Sequence, residues 1–316
     1  MTTTLLPTEP DVGTAKPRIG DRVFEGLSRT AGITILIALA AVFVFLLIEG
    51  WPGLSQQASV YGPRATNFFN YVGPLLFGTV LASVIALIIA VPLAWGIALV
   101  ISHYAPRSVA TPVAYVVDLL AAVPSVVFGL WGITVLAPRL VPVYDWLATH
   151  ASWLPFFEGP ASATGRTILT AGIVLAIMIL PIISAISREV FAQTPRLHEE
   201  AALALGATRW EMIRMAVFPY ARSGMVSAVM LGLGRALGET MAVAMVLSAG
   251  GGVSLNLISS SNPASIASNI ATSYKENTPA KLSVLIATGL ALFLLTFLVN
   301  FAARWVVSRN ERRMSR

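Results

Sequence analysis

Residues 188–221 read REVFAQTPRLHEEAALALGATRWEMIRMAVFPYA, a polar stretch with four arginines. Its local signals are helical. Thr194 is placed to cap a helix and Pro195 suits its first position. Leu197 to Leu205 are good helix formers, and Gly206 supplies a stop. Thr208 to Glu211 reads T-x-x-E, a capping box that starts a second helix. The expectation is two short helices meeting at Gly206. Small Ala201 and Ala202 allow another surface to come close, and Glu199 and Glu200 offer carboxylates to basic or backbone donors on it.

On either side the chain turns apolar, with runs near 166–187 and 222–249. Further out lie runs near 30–49, 72–101, 111–137 and 281–307. A helix needs about 20 residues to cross the hydrocarbon core. The longest runs are therefore tilted or extend past the bilayer. The fold class is all-α, a polytopic membrane protein with six transmembrane helices. Residues 1–29 are read as an N-terminal tail, 30–307 as the membrane domain and 308–316 as a C-terminal tail.

Composition agrees. Of 316 residues, 56% are hydrophobic and 11% charged, against about 25% charged in soluble domains. Mean hydropathy is +0.77. The absence of cysteine excludes a disulfide framework, thiolate metal sites and a cysteine nucleophile. The three histidines, His103, His150 and His198, are not spaced as metal ligands. The net charge of +6 comes without a basic stripe of interleaved aromatics, so nucleic acid is not an expected partner.

The positive charge instead orients the chain. With the N-terminus inside, fifteen Arg and Lys residues fall on the inner side and five, Arg64, Arg139, Arg166, Lys275 and Lys281, on the outer. This predicts cytoplasmic termini and a cytoplasmic 188–221 loop. Of the outer connections, 138–165 carries Trp146, Trp153, Phe156 and Phe157, suited to the interface. In 250–280, Ile266, Ala267, Ile270 and Ala271 recur at helical spacing and predict a short interfacial helix.

Polar groups inside spans are costly and point to function. The fifth span reads Leu231-Gly-Leu-Gly-Arg-Ala-Leu-Gly-Glu-Thr-Met-Ala242, with Arg235 near the middle and Glu239 four residues on, on the same helical face. Gly232, Gly234 and Gly238 permit close approach of a helix or ligand. A guanidinium fork fits an oxyanion, and the carboxylate can balance it when the site is empty. The bland alternative is an Arg–Glu ion pair that only orders the bundle. In the third span, Pro124 and Ser125 fall near the middle, where a freed carbonyl and a hydroxyl line a transport path or mark a simple kink. Asp118 lies nearer the inner end, as a pathway group or a packing charge. The chain has three lysines, none preceded by glycine, so it holds no G-x-x-x-x-G-K phosphate loop. It is expected to be non-catalytic and to bind no cofactor.

The loop resembles binding-protein-dependent ABC permeases, whose pattern is E-A-A, three residues, G, nine residues, I-x-L-P. Here stand Glu200-Ala201-Ala202, Gly206 and Phe218-Pro219, with Ala216 where Ile is usual and Phe218 where Leu is usual. Within that class, A-A-V-P-S-V-V-F-G around Pro124 and G-R-A-L-G-E-T-M-A-V around Arg235 resemble permeases of the phosphate-specific transport system, PstC type, from about residue 30 onward. The resemblance implies a type I, MetI-like importer permease in a bacterial inner membrane. It further implies a phosphate pathway involving Arg235, Glu239, Ser125 and Pro124. Docking would use Glu199, Glu200, Ala201, Ala202 and Gly206, in the coupling segment 194–211. The implied partners are a PstA-type second permease, a homodimeric PstB-type ATPase that uses ATP and Mg, and an extracytoplasmic PstS-type phosphate-binding protein.

Three alternatives stay open. The cargo could be sulfate, molybdate or tungstate, since a guanidinium does not choose among tetrahedral anions. The chain could be a secondary transporter or channel without an ATPase. It could also be a signalling or scaffold protein, with Arg235 and Glu239 purely structural.

Overall fold

The structure, a computed structural model, describes residues 19–250, 252–275 and 278–314, with side chains through Trp305. It divides into two units, one reaching Phe45 and the other Leu46–Arg316. The first is one helix, the start of α1 (Ile19–Gly50). The remaining elements are α2 (Ala58–Tyr61), α3 (Phe68–Leu99), α4 (Arg107–Ala121), α5 (Ser125–Trp131), α6 (Ala137–His150), α7 (Ile168–Ala192) and α8 (Arg196–Ala204). They continue with α9 (Arg209–Met212), α10 (Phe218–Gly238), α11 (Met241–Val246), α12 (Ile266–Ser273) and α13 (Pro279–Met314). Single π turns extend α3 (Val100–Tyr104), join α5 to α6 (Gly132–Leu136) and join α9 to α10 (Ile213–Val217). Among the described residues the one β pairing is a bridge between Ala249 and Asn262.

Among the described residues six helices are long and apolar enough to span: Ile19–Ser55, Phe68–Tyr104, Ser125–His150, Ile168–Ala192, Arg209–Gly238 and Pro279–Trp305. The centre is α7, where fourteen of 25 residues are buried. Its chief partner is α3. Ala82, Ala86, Ala90, Ala94 and Ala98 recur every fourth residue, none more than 3% exposed, and lay a smooth track on one face. Small residues let membrane helices close to van der Waals range. Gly172 of α7 does the same, since a Cβ there would stand 2.4 Å from Ile85 Cγ2. Near the other end, Phe191 clusters with Ala98 and Leu99. The two helices therefore run in the same direction.

Five expectations change. The third span is Ser125–His150, not 111–137. Pro124 has no N–H and bars helix from the residue before it, so α4 stops at Ala121 and a fresh helix starts at Ser125. Pro124 and Ser125 stand at the start of that span rather than its middle. Residues 138–150, read as an outer connection, are helical, and Tyr144 within them is buried and hydrogen-bonded to Thr170 Oγ1 at 2.6 Å. The expected tails differ too. Residues 19–29 and 308–314 continue α1 and α13, whereas 1–18 and 315–316 lie outside the described residues. The short helix expected in 250–280 is α12, but it is tucked into the bundle: Ile266 is 0% exposed and its N–H donates to Thr79 Oγ1 at 2.9 Å.

Candidate functional site

Two regions carry the candidate residues: the protruding segment at the α8 end of the bundle, and a pair of helix breaks, one before the span Ser125–His150 and one after the span Arg209–Gly238.

At the α8 end, Pro195 rather than Thr194 is the N-cap, and the Thr194 hydroxyl is buried with no hydrogen-bond partner among the described residues. The helix closes as the sequence predicts. Gly206 takes φ +85, Ala207 N donates to Ala202 O at 3.2 Å and Gly206 N donates to Leu203 O at 3.0 Å. This is the paired-bond stop that a left-handed residue makes possible. Thr208 then forms its capping box: Thr208 N donates to Glu211 Oε2 at 2.8 Å, and Glu211 N to Thr208 Oγ1 at 3.3 Å. The second helix is not a separate short one, since α9 passes through its π turn into α10 and the fifth span.

The proposed docking residues separate by environment. Glu200, Ala201 and Gly206 are exposed. Ala202 is buried in a cluster with Leu99, Phe191 and Met212, so its small side chain serves the chain's own packing and not an incoming surface. Glu199 is half-buried, 3.4 Å from His103 Nε2 at the end of α3. Sequence reasoning passed over the exposed apolar residues Leu197, Leu205 and Trp210; Leu205 is 87% exposed. Their signal is available, since large apolar side chains on a polar protrusion mark an interaction surface.

The second region lies at these two helix breaks. The helix α10 ends at Gly238, Glu239 is extended (φ −70, ψ 127), and α11 begins at Met241. Arg235 and Glu239 therefore do not share one helical face, as the sequence suggested. Glu239 Oε1 instead accepts from Ala242 N at 3.1 Å and caps α11. Among the described residues no ion pair or hydrogen bond reaches Arg235, which is exposed. An ion pair that merely orders the bundle is thus not what Arg235 makes.

The helices following the two breaks are packed together. A Cβ on Gly129 of α5 would lie 2.9 Å from Ala242 Cα, and one on Gly132 would lie 2.8 Å from Val246 Cγ2. The paired positions advance together, so α5 and α11 run parallel and both begin at a break. Ser125 and Glu239 stand near one level, with Arg235 one turn before Glu239 on α10. Asp118 sits on α4 rather than in this region and pairs with Arg188 of α7 at 3.4 Å. Past α11, Arg166 Nη2 donates to Leu247 O at 3.2 Å and ties the chain to the start of α7.

Residues 90–315 match the family model described as binding-protein-dependent transport system inner membrane component. The chain belongs to that family. Its fold is shared with a chain in an inward-facing structure of the MetNI methionine ABC transporter, at TM-score 0.51 and 18% identity, over 75% of this chain and 93% of that one. Within the family it groups with the PstC permeases. It is 49% identical over 298 residues to phosphate transport system permease protein PstC 2 of Mycobacterium tuberculosis, covering 91% of each chain. It is 38% identical over 325 residues to PstC of Xylella fastidiosa, covering 99% of each.

Proposed function

We propose that this multi-pass membrane protein is a permease subunit of an ATP-driven importer of inorganic phosphate. It forms half of the translocation pathway and docks a separate ATPase through the 194–211 segment. The observation that carries the reading is Arg235. It is a guanidinium exposed on a spanning helix, without a described counter-ion, one turn before a break in that helix. A charge on a spanning helix is tolerated when it faces a polar cavity or a partner. A second permease against this face would close the pathway around it. One Arg offers an oxyanion a planar fork, yet binds weakly enough to let it go.

Orientation follows from the basic residues: the α8 end and both termini are cytoplasmic. There Leu197, Glu200, Ala201, Leu205 and Trp210 present an exposed surface to the motor, a homodimer that holds ATP and Mg. A phosphate-binding protein delivers cargo to the opposite face. The cargo is assigned to phosphate because relatives over nearly the whole chain are phosphate transport permeases.

The test is uptake in vesicles containing this chain, its companion permease, the ATPase and the binding protein. Phosphate uptake should require ATP and should survive excess sulfate or molybdate. Arg235→Gln should abolish uptake while the ATPase still co-purifies; wild-type uptake by that variant would remove Arg235 from the pathway. Uptake without the ATPase would favour a secondary transporter.

A further inference from the structure

Two arginines with no part in the pathway described above are brought together at the end of the bundle opposite α8. Arg166 stands just before α7, and Arg64 shortly before α3, which runs in the same direction. Both donate to the short stretch that follows α11: Arg166 Nη2 to Leu247 O at 3.2 Å, and Arg64 Nη1 to Gly250 O. Those two carbonyls are three residues apart, at most about 10 Å of chain. The stretch is itself fixed, because Ala249 bridges to Asn262 and Gly250 N donates to Asn262 O at 3.1 Å.

Neutral carbonyls hold these charges in place but do not balance them. Among the described residues the ion pairs are His103–Glu199 and Asp118–Arg188, so no carboxylate pairs with Arg64 or Arg166. Arg166 is half-buried, and its Nε is buried with no hydrogen-bond partner among the described residues. A guanidinium has five N–H donors, more than one carbonyl can use. A partly buried cation without a counter-charge is unfavourable, and two held near one another repel. An anion between them reverses both effects, and each guanidinium offers an oxyanion a planar fork. The site also lies in line with the pathway. Glu239 caps the start of α11, one turn past Arg235, while Arg166 meets its far end at Leu247. The helix between has six residues, about 9 Å.

We propose that Arg64 and Arg166 form an oxyanion entry site that takes phosphate at the outer face before it reaches Arg235. The carbonyls of Leu247 and Gly250 aim the two guanidinium groups, and the cargo supplies the missing negative charge. The inference rests on the importer reading and its orientation given above, and its test includes a readout that does not depend on transport.

Inorganic phosphate is the probe, added to the complete importer in detergent with R235Q in place, which removes the contact assigned above. Phosphate should raise the thermal unfolding midpoint above that in chloride of equal ionic strength, as a ligand of the folded state does. The concentration giving half of this rise should increase about tenfold in R64Q and in R166Q, the loss of one charge-assisted contact, and about threefold or less in R166K. Arg64 is exposed, so R64Q tests the site even where R166Q fails to fold. With Arg235 restored, phosphate uptake by R64Q at saturating binding protein should fall about tenfold. Ties that serve the backbone alone would lower the midpoint equally in phosphate and chloride, and that result would overturn the proposal. So would a higher half-saturating concentration of binding protein without any effect of free phosphate, which would mark a docking contact for a carboxylate. A phosphate effect that needs both arginines, in a wild-type importer that moves no phosphate, would instead sink the cargo reading and keep the site.

Discussion

Gly206 offers a test that separates backbone conformation from surface fit. Its φ of +85 belongs to the left-handed region, and a Cβ placed there meets no atom within 4 Å. Every L side chain is therefore strained by the backbone, and none by crowding within this chain. The left-handed conformation costs an ordinary residue about 1–2 kcal/mol, and asparagine less. A loss of that size raises opening of the α8 stop about 5- to 30-fold. Gly206→Ala and Gly206→Leu should then be equally impaired, with Gly206→Asn intermediate. Trypsin cleavage at Arg209, three residues on, reads the opening directly, and recovery of the ATPase on purification reads its consequence. If Ala behaves as wild type while Leu loses the ATPase, the glycine is required for fit against the partner and the conformational reasoning fails.

Gly129→Ala should push α5 away from α11, because the added Cβ would stand 2.9 Å from backbone at Ala242. Phosphate uptake should fall at least tenfold with membrane insertion preserved, and undiminished uptake would mean that the packed pair is not needed. Tyr144→Phe removes a buried hydroxyl 2.6 Å from Thr170 Oγ1, which also bonds Gly165 O at 2.6 Å. Because Thr170 keeps its other bonds, stability in detergent should drop by only about 1 kcal/mol, checked by thermal unfolding.

Much of this was legible in the sequence, for identifiable reasons. The helix α7 carries no charge before Arg188, and hydropathy is all that a bilayer asks of a spanning helix. Gly206 and Thr208 act locally, so their stop and start could be read from neighbours alone. Pro124 was visible as a breaker, but hydropathy runs unbroken through it and could not say which side of the break spans. The break at Glu239 has no proline. It depends on α11 packing against α5, a contact between residues more than one hundred positions apart in sequence. The burial of Ala202 is similar, since an alanine on a polar helix looks alike whether it faces a partner or its own core. The contact of His103 with Glu199 is hidden from the sequence because the two lie 96 positions apart in the chain.

The π turn between α9 and α10 has a geometric consequence. A π turn holds one residue more than the α-turn it replaces, which is about 100° of azimuth on a helix with 3.6 residues per turn. Trp210 lies before Ile213–Val217 and Arg235 after it, on one uninterrupted rod of 30 residues. That extra residue fixes the compass bearing of the docking end relative to the pathway end. Removing it would keep both helices and both side chains, yet aim them in mismatched directions.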